Sequence, residues 1–170
     1  MIYTFSEEDS RKAYEEWGAN CGPNALAFAL QTTLAAVRPH IREFPARRYT
    51  SPTMMEQALY TLGRRVQKIT SNPRARSAAL AHMFHERPAL VRVQWTGPWI
   101  VDGKPQKWAA RQTHWICCWR ESDNCELLFD VNGGIMSPEL WQAEIRPAIT
   151  ATVKRADGGW YPANIWRLLP

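Results

Sequence analysis

The sequence predicts an α+β fold, with helices in the N-terminal half and an antiparallel β-sheet in the C-terminal half. Three observations carry that expectation. Apolar residues recur at helical spacing in the first half of the chain. From Leu90 onward they alternate instead, as half-buried strands require. Turn-forming residues at Glu121-Ser122-Asp123-Asn124 and Asn132-Gly133-Gly134 then divide the alternating part into hairpins. This order points to one helical layer, including a buried cysteine-bearing helix, packed on one sheet. At 170 residues the chain reads as a single domain over 1–170, long enough to bury a core without disulfides or structural metal.

Ser6 followed by Glu7, Glu8 and Asp9 has the capped, acidic look of a helix start, and Arg11 to Trp17 continue it into a Gly18 turn. Pro23 suits the first turn of a second helix, because it has no amide hydrogen to lose there. Ala25 to Leu34 are apolar around nearly the whole circumference, so this helix belongs in a core. Pro39 and Pro45, with Arg42, Arg47 and Arg48, mark an irregular basic connection. Ser51-Pro52 opens a third helix whose Met55, Ala58, Leu59 and Leu62 share one face, and Gly63 ends it. Arg64 to Ile69 reads as a short strand and Ser77 to His85 as a helix. Strands follow at Leu90–Trp95, Thr113–Trp119 and Cys125–Val131. Between the first two, Trp99 and Trp108 stand in a loop where they could line a groove. Ser137-Pro138-Glu139 starts a short helix carrying Trp141, and Ala151 to Arg155 reads as a last strand before Gly158-Gly159.

Net charge is +5, spread along the chain, which describes a solvated, mildly basic surface and gives no concentrated nucleic-acid motif. The N-terminus has neither a basic start nor a long apolar run, and no stretch approaches a membrane span. The expected location is therefore cytoplasmic with reduced thiols, and export by a signal-less route is compatible with the same sequence. Nothing in the sequence specifies an oligomeric state. The four cysteines, Cys21, Cys117, Cys118 and Cys125, show no CxxC spacing. A zinc site from His114, Cys117, Cys118 and Cys125 would need adjacent strand residues that point to opposite faces. No metal and no cofactor is expected.

The chemistry centres on Gly18-Ala19-Asn20-Cys21-Gly22-Pro23-Asn24. A cysteine at a helix start lies among unpaired amides at the positive end of the dipole, which lowers a thiol pKa and offers donors to an oxyanion. The same placement also suits an inert packed cysteine. A nucleophilic thiol needs a base within reach and a group that orients the base. His40, His82 and His85 have no acidic strand beside them. His114 opens a strand, and the next strand ends in Phe129-Asp130. A turn centred between Asp123 and Asn124 pairs positions whose numbers add to about 246, which places His114 opposite residue 132 and beside Asp130 and Asn132.

The order Cys21, His114, Asp130 resembles the papain-like cysteine peptidases. The detailed pattern is closest to the C39-like group, the double-glycine leader peptidases. The cysteine-Gly-x-x-Ala-Leu helix is followed by Met55-Glu-Gln-Ala-Leu-Tyr-Thr-Leu-Gly63, then Pro88-Ala-Leu-Val, His114-Trp115-Ile116 and Asp130-Val-Asn-Gly-Gly134. The match covers most of residues 17 to 145. The resemblance implies a papain-like fold and a peptide or protein substrate cleaved at a peptide or isopeptide bond through a thioester. Cys21 would attack, His114 would carry the proton, Asp130 would orient the imidazole, and the Cys21 amide would bind the oxyanion. Asn132 is the alternative orienter. Such enzymes commonly carry a glutamine several residues before the cysteine, and this chain has Tyr14-Glu15-Glu16-Trp17 there. Asn20 and Trp17 are the candidate substitutes as oxyanion donors. The departure leaves open acyl transfer or deamidation by the same triad, or a catalytically degenerate binding or inhibitor module. Trp95, Trp99, Trp108 and Trp115 are candidates for an apolar subsite.

Overall fold

The computed structural model describes residues 7–17, 20–47, 49–70, 80, 82–101, 104–105 and 113–170. The first half is helical: α1 (Glu7–Trp17), α2 (Cys21–Ala29), α3 (Leu34–Val37), a 3-10 turn (Arg38–His40), α4 (Phe44–Arg47) and α5 (Pro52–Thr61). The strands are β1 (Val66–Thr70), β2 (Ala89–Trp95), β3 (Ile100–Val101), β4 (Lys104–Pro105), β5 (Thr113–Ser122), β6 (Cys125–Asp130), β7 (Gly134–Met136) and β8 (Trp160–Leu168). Between β7 and β8 lie α6 (Pro138–Leu140), a π-helical turn (Trp141–Ile145) and α7 (Arg146–Thr152). Six strands form one antiparallel sheet in the order β1-β8-β2-β5-β6-β7.

Several elements depart from the sequence expectation for identifiable reasons. The apolar run expected as one helix through Leu34 breaks in two. Gln31 turns left-handed at φ 53°, and the Thr33 hydroxyl accepts the Ala36 N–H at 3.2 Å to start α3. The connection rich in arginine contains the short α4, and its Arg42 and Arg47 are exposed. The strand expected at 151–155 is instead the end of α7 and a turn, with Arg155 left-handed at φ 66°. The last strand is β8, which the alternation conceals because Pro162 and Asn164 interrupt it. A proline removes a ladder donor, and β2 accommodates it where the register slips between Arg92 and Val93, so that Arg92 faces Asn164 and Val93 faces Pro162. Of the helix expected over 77–85, residues 77–79 and 81 lie outside the described residues, residue 80 is helical, and residues 82–85 are turn and irregular chain.

The sheet is covered on both faces rather than one. On one side α2, α3 and α5 pack Leu26, Phe28, Met55 and Leu59 against Leu90, Trp115, Cys117, Trp119 and Phe129. Phe28 stacks on Phe129 at 4.2 Å between ring centroids. On the other side Val91, Val93, Ile116, Cys118 and Ile165 meet Trp95, Trp141 and Trp160, with Trp141 contributed by the segment 138–152. No helix among the described residues is long and apolar enough to cross a membrane.

Candidate active site

The cysteine comes from the first residue of α2. Asn20 is the residue before it, and the Asn24 backbone N–H and side-chain Nδ2 both donate to the Asn20 carbonyl, at 3.0 and 2.8 Å. This double closure fixes the first turn with Cys21 at its open end. Pro23 lies in that turn, where its missing N–H removes no helical bond. Gly22 is helical, and its requirement is space rather than a sharp turn. A methyl group at this position would lie 2.2 Å from the Thr50 hydroxyl oxygen and 2.4 Å from Thr50 Cβ. Thr50 is buried and cannot withdraw, because its carbonyl accepts the Trp115 indole N–H at 2.8 Å. Gly22→Ala is therefore expected to displace the start of α2. Calorimetry should show a Tm lower by about 3–10 °C, and an unchanged Tm would contradict the tight packing.

The base comes from the hairpin. The β5–β6 pairing starts at Ser122 opposite Cys125, whose numbers add to 247 as a turn centred between Asp123 and Asn124 requires. It slips by one between Arg120 and Ser122, so that Arg120 opposite Glu126 through Cys117 opposite Phe129 add to 246. His114 thus stands at the start of β5 near the end of β6. Its Nε2–H donates to Asp130 Oδ2 at 2.8 Å, leaving Nδ1 for the thiol. The Cys21 side chain hydrogen-bonds to His114 and to the backbone N–H of Trp115. Asp130 is fully buried and takes four donors. Oδ2 accepts the His114 ring and the Trp141 indole, the latter at 2.7 Å, and Oδ1 accepts the Asn132 backbone and side-chain N–H groups, each at 2.9 Å.

Burial and charge oppose one another across this chain of groups. Burial pushes the Cys21 thiol up, but the neighbouring His114 charge, its hydrogen bond and the Trp115 N–H outweigh it and hold the thiol below its ordinary value. Burial pulls the His114 imidazole down, and the Asp130 and Cys21 charges more than reverse this, raising it well above its ordinary value. Asp130 is lowered despite its burial, by His114 first and then by the hydrogen bonds from Asn132 and Trp141. The Cys21 and His114 shifts favour a thiolate paired with an imidazolium. Cys117 and Cys118 go the opposite way, because burial alone raises Cys117 and dominates at Cys118, keeping them neutral thiols.

Cys21, His114 and Asp130 come together as the sequence order suggests. Asn132 does not replace Asp130 beside the imidazole; it clamps the aspartate from the other oxygen. Asn20 is buried beside Cys21. The Trp17 side chain lies outside the described residues. Glu15 and Glu16 are exposed on α1, paired with Arg11 and Arg38, so neither carboxylate enters the site. Trp95 and Trp115 are core residues at 1% exposure, not an open subsite, and the Trp99 indole donates to the Trp95 carbonyl. Trp108 lies outside the described residues. No group of three or more His, Cys, Asp or Glu side chains arranged to hold a metal ion occurs among the described residues. Two supporting residues are not evident from the sequence, Thr50 and Trp141. Only Trp141 carries a signal, as a tryptophan one turn into the helix that follows the aspartate strand.

No protein-family profile matches the chain, and no curated protein matches it in sequence. Among solved structures it is similar to the peptidase domain of Streptococcus ComA, a bi-functional ABC transporter involved in a quorum-sensing pathway. The TM-score is 0.50 and the identity 17%, over 90% of this chain and 93% of that one. The chain therefore has the papain-like α+β fold of the C39-type peptidase domains that its motifs resemble.

Proposed function

We propose that the protein is a cysteine peptidase that cleaves a peptide or isopeptide bond through a thioester on Cys21. The observation that carries this reading is the continuous path from the Cys21 thiol through His114 to a fully buried, fourfold-bonded Asp130. The thiolate attacks the carbonyl carbon, and the imidazolium gives its proton to the leaving amine. Water, deprotonated by the now neutral imidazole, then releases the acyl group. The oxyanion is held by the Cys21 backbone amide at the start of α2, with the side chain of Asn20, the residue before it, as a candidate second donor. The ComA similarity supports a peptide or protein substrate by analogy of fold.

A peptide library incubated with the wild type and with Cys21→Ala tests this reading by mass spectrometry. Cleavage by the wild type alone is expected, with a fall of at least about 10³-fold on removal of the nucleophile. Acyl transfer to an added amine or loss of ammonia from glutamine, without cleavage, would replace the peptidase reading with the transferase or deamidase one. An unreactive Cys21 and no product would leave a binding module.

A further inference from the structure

Trp141 reaches Asp130 from the segment that follows β7, and nothing in the proposed chemistry requires a tryptophan there. Its indole N–H reaches Asp130 Oδ2 at 2.7 Å, the same oxygen that accepts His114 at 2.8 Å. The ring is fully buried and held on two sides, stacked on Trp95 at 6.5 Å and edge-on to Trp160 at 5.2 Å. Its backbone opens a π-helical turn in which the Arg146 N–H bonds to the Trp141 carbonyl. Such single turns are rare and concentrate at functional positions. Here the wider turn directly precedes Pro147, whose ring would clash with a carbonyl in a regular α-helix. Gly133 closes the seat from the other side. A Cβ there would lie 2.6 Å from Ile145 Cδ1 of the π turn.

We propose that Trp141 is a positioning residue that sets the proton affinity of His114 by sharing Oδ2 with it. A hydrogen bond donated to a carboxylate oxygen withdraws charge from that oxygen, so the imidazolium bound to it is stabilised less than by an undivided carboxylate. Trp141 thereby fixes the carboxylate plane and limits how far the imidazole is raised. Among the described residues, the other groups that face this pair are few. Cys21 approaches from α2. Cys118 of β5 shares the Asp130 face as a neutral thiol. Glu126 of β6 is paired with Arg120, Glu139 and Glu144 are exposed, and Arg146 turns to the Gly158 carbonyl. Arg92 of β2 lies on the opposite face, beside Leu90. Trp141 is thus the described donor that divides Oδ2 with the imidazole.

The functional meaning rests on the peptidase reading, whereas the titration does not. His114 is followed by NMR of carbon-13-labelled histidine in the wild type and in Trp141→Phe. Loss of the donor is expected to raise the imidazole titration by about half a pH unit. Trp119→Phe, which removes a buried indole N–H that has no partner among the described residues, should leave it in place. If Trp141→Phe does not fold, benzothienylalanine at position 141 keeps the ring shape and lacks only the N–H. An unshifted titration, or an equal shift in Trp119→Phe, overturns the proposal. A shifted titration in a protein that cleaves nothing leaves the proposal standing and removes the peptidase reading.

Discussion

His114→Ala is expected to slow iodoacetamide alkylation of Cys21 by about one hundredfold at pH 6. In the wild type, burial raises the thiol, and the His114 charge and hydrogen bond do most to bring it back below its ordinary value. Once the imidazole is removed, burial is opposed by the Trp115 N–H alone, so the thiol returns to its ordinary range or above. An ordinary thiol with a pKa near 8.5 is about 0.3% ionised at pH 6. The wild-type thiolate is intrinsically less nucleophilic because its pKa is lower, which gives back part of the difference. The two rates should converge as pH rises toward 9, where both thiols are ionised. Labelling is read at Cys21 by peptide mapping, because Cys125 is half-exposed and supplies background, while Cys117 and Cys118 are buried and raised. Equal rates at pH 6 would mean that Cys21 is an ordinary packed cysteine.

The part of this site that a sequence can disclose is the part governed by local rules. A hairpin turn fixes register, and Asp123-Asn124 as the turn centre gives the pairing that brings His114 to Asp130 to within one residue, the remaining step being the slip between Arg120 and Ser122. The proline in the first turn likewise locates the start of α2, whereas the apolar run after it conceals the break at Gln31. What stays hidden depends on close approach between distant segments. Thr50 and Gly22 are 28 positions apart, and neither residue type signals that a hydroxyl fills the space above a glycine. The strand β8 is concealed because it is central in the sheet, paired on both sides, yet contains Pro162, which local rules assign to an edge. The second layer over the sheet is concealed for a related reason. Its apolar residues arrive on a short helix widened by a π turn, and a widened turn breaks the spacing by which a helix is recognised.

Asp130→Asn is expected to destabilise the fold by about 3–5 kcal/mol near pH 5, the usual cost of removing one member of a buried ion pair. An asparagine offers a single acceptor oxygen, so its NH₂ group must face donors from either the His114–Trp141 side or the Asn132 side. At about 2–4 °C per kcal/mol for a chain of this size, thermal unfolding should fall by about 6–20 °C. The pH dependence has two signs. Asp130 is lowered in the folded state, so its contribution is present above the unfolded carboxylate value of about 4 and is lost as pH falls through the folded one. His114 is raised, so its contribution is complete below the unfolded imidazole value of about 6.5 and is lost as pH rises through the folded one. The gap between wild type and variant should therefore be widest between about pH 4 and pH 6.5 and close toward acid. Toward alkali it should narrow without vanishing, because Asn132 and Trp141 still need the carboxylate after the imidazole is neutral. Melting curves of both proteins from pH 3 to pH 9 measure this. A gap that is constant across the range would show that Asp130 acts as a hydrogen-bond acceptor alone and that His114 is neutral throughout, which would remove the ion pair from the mechanism.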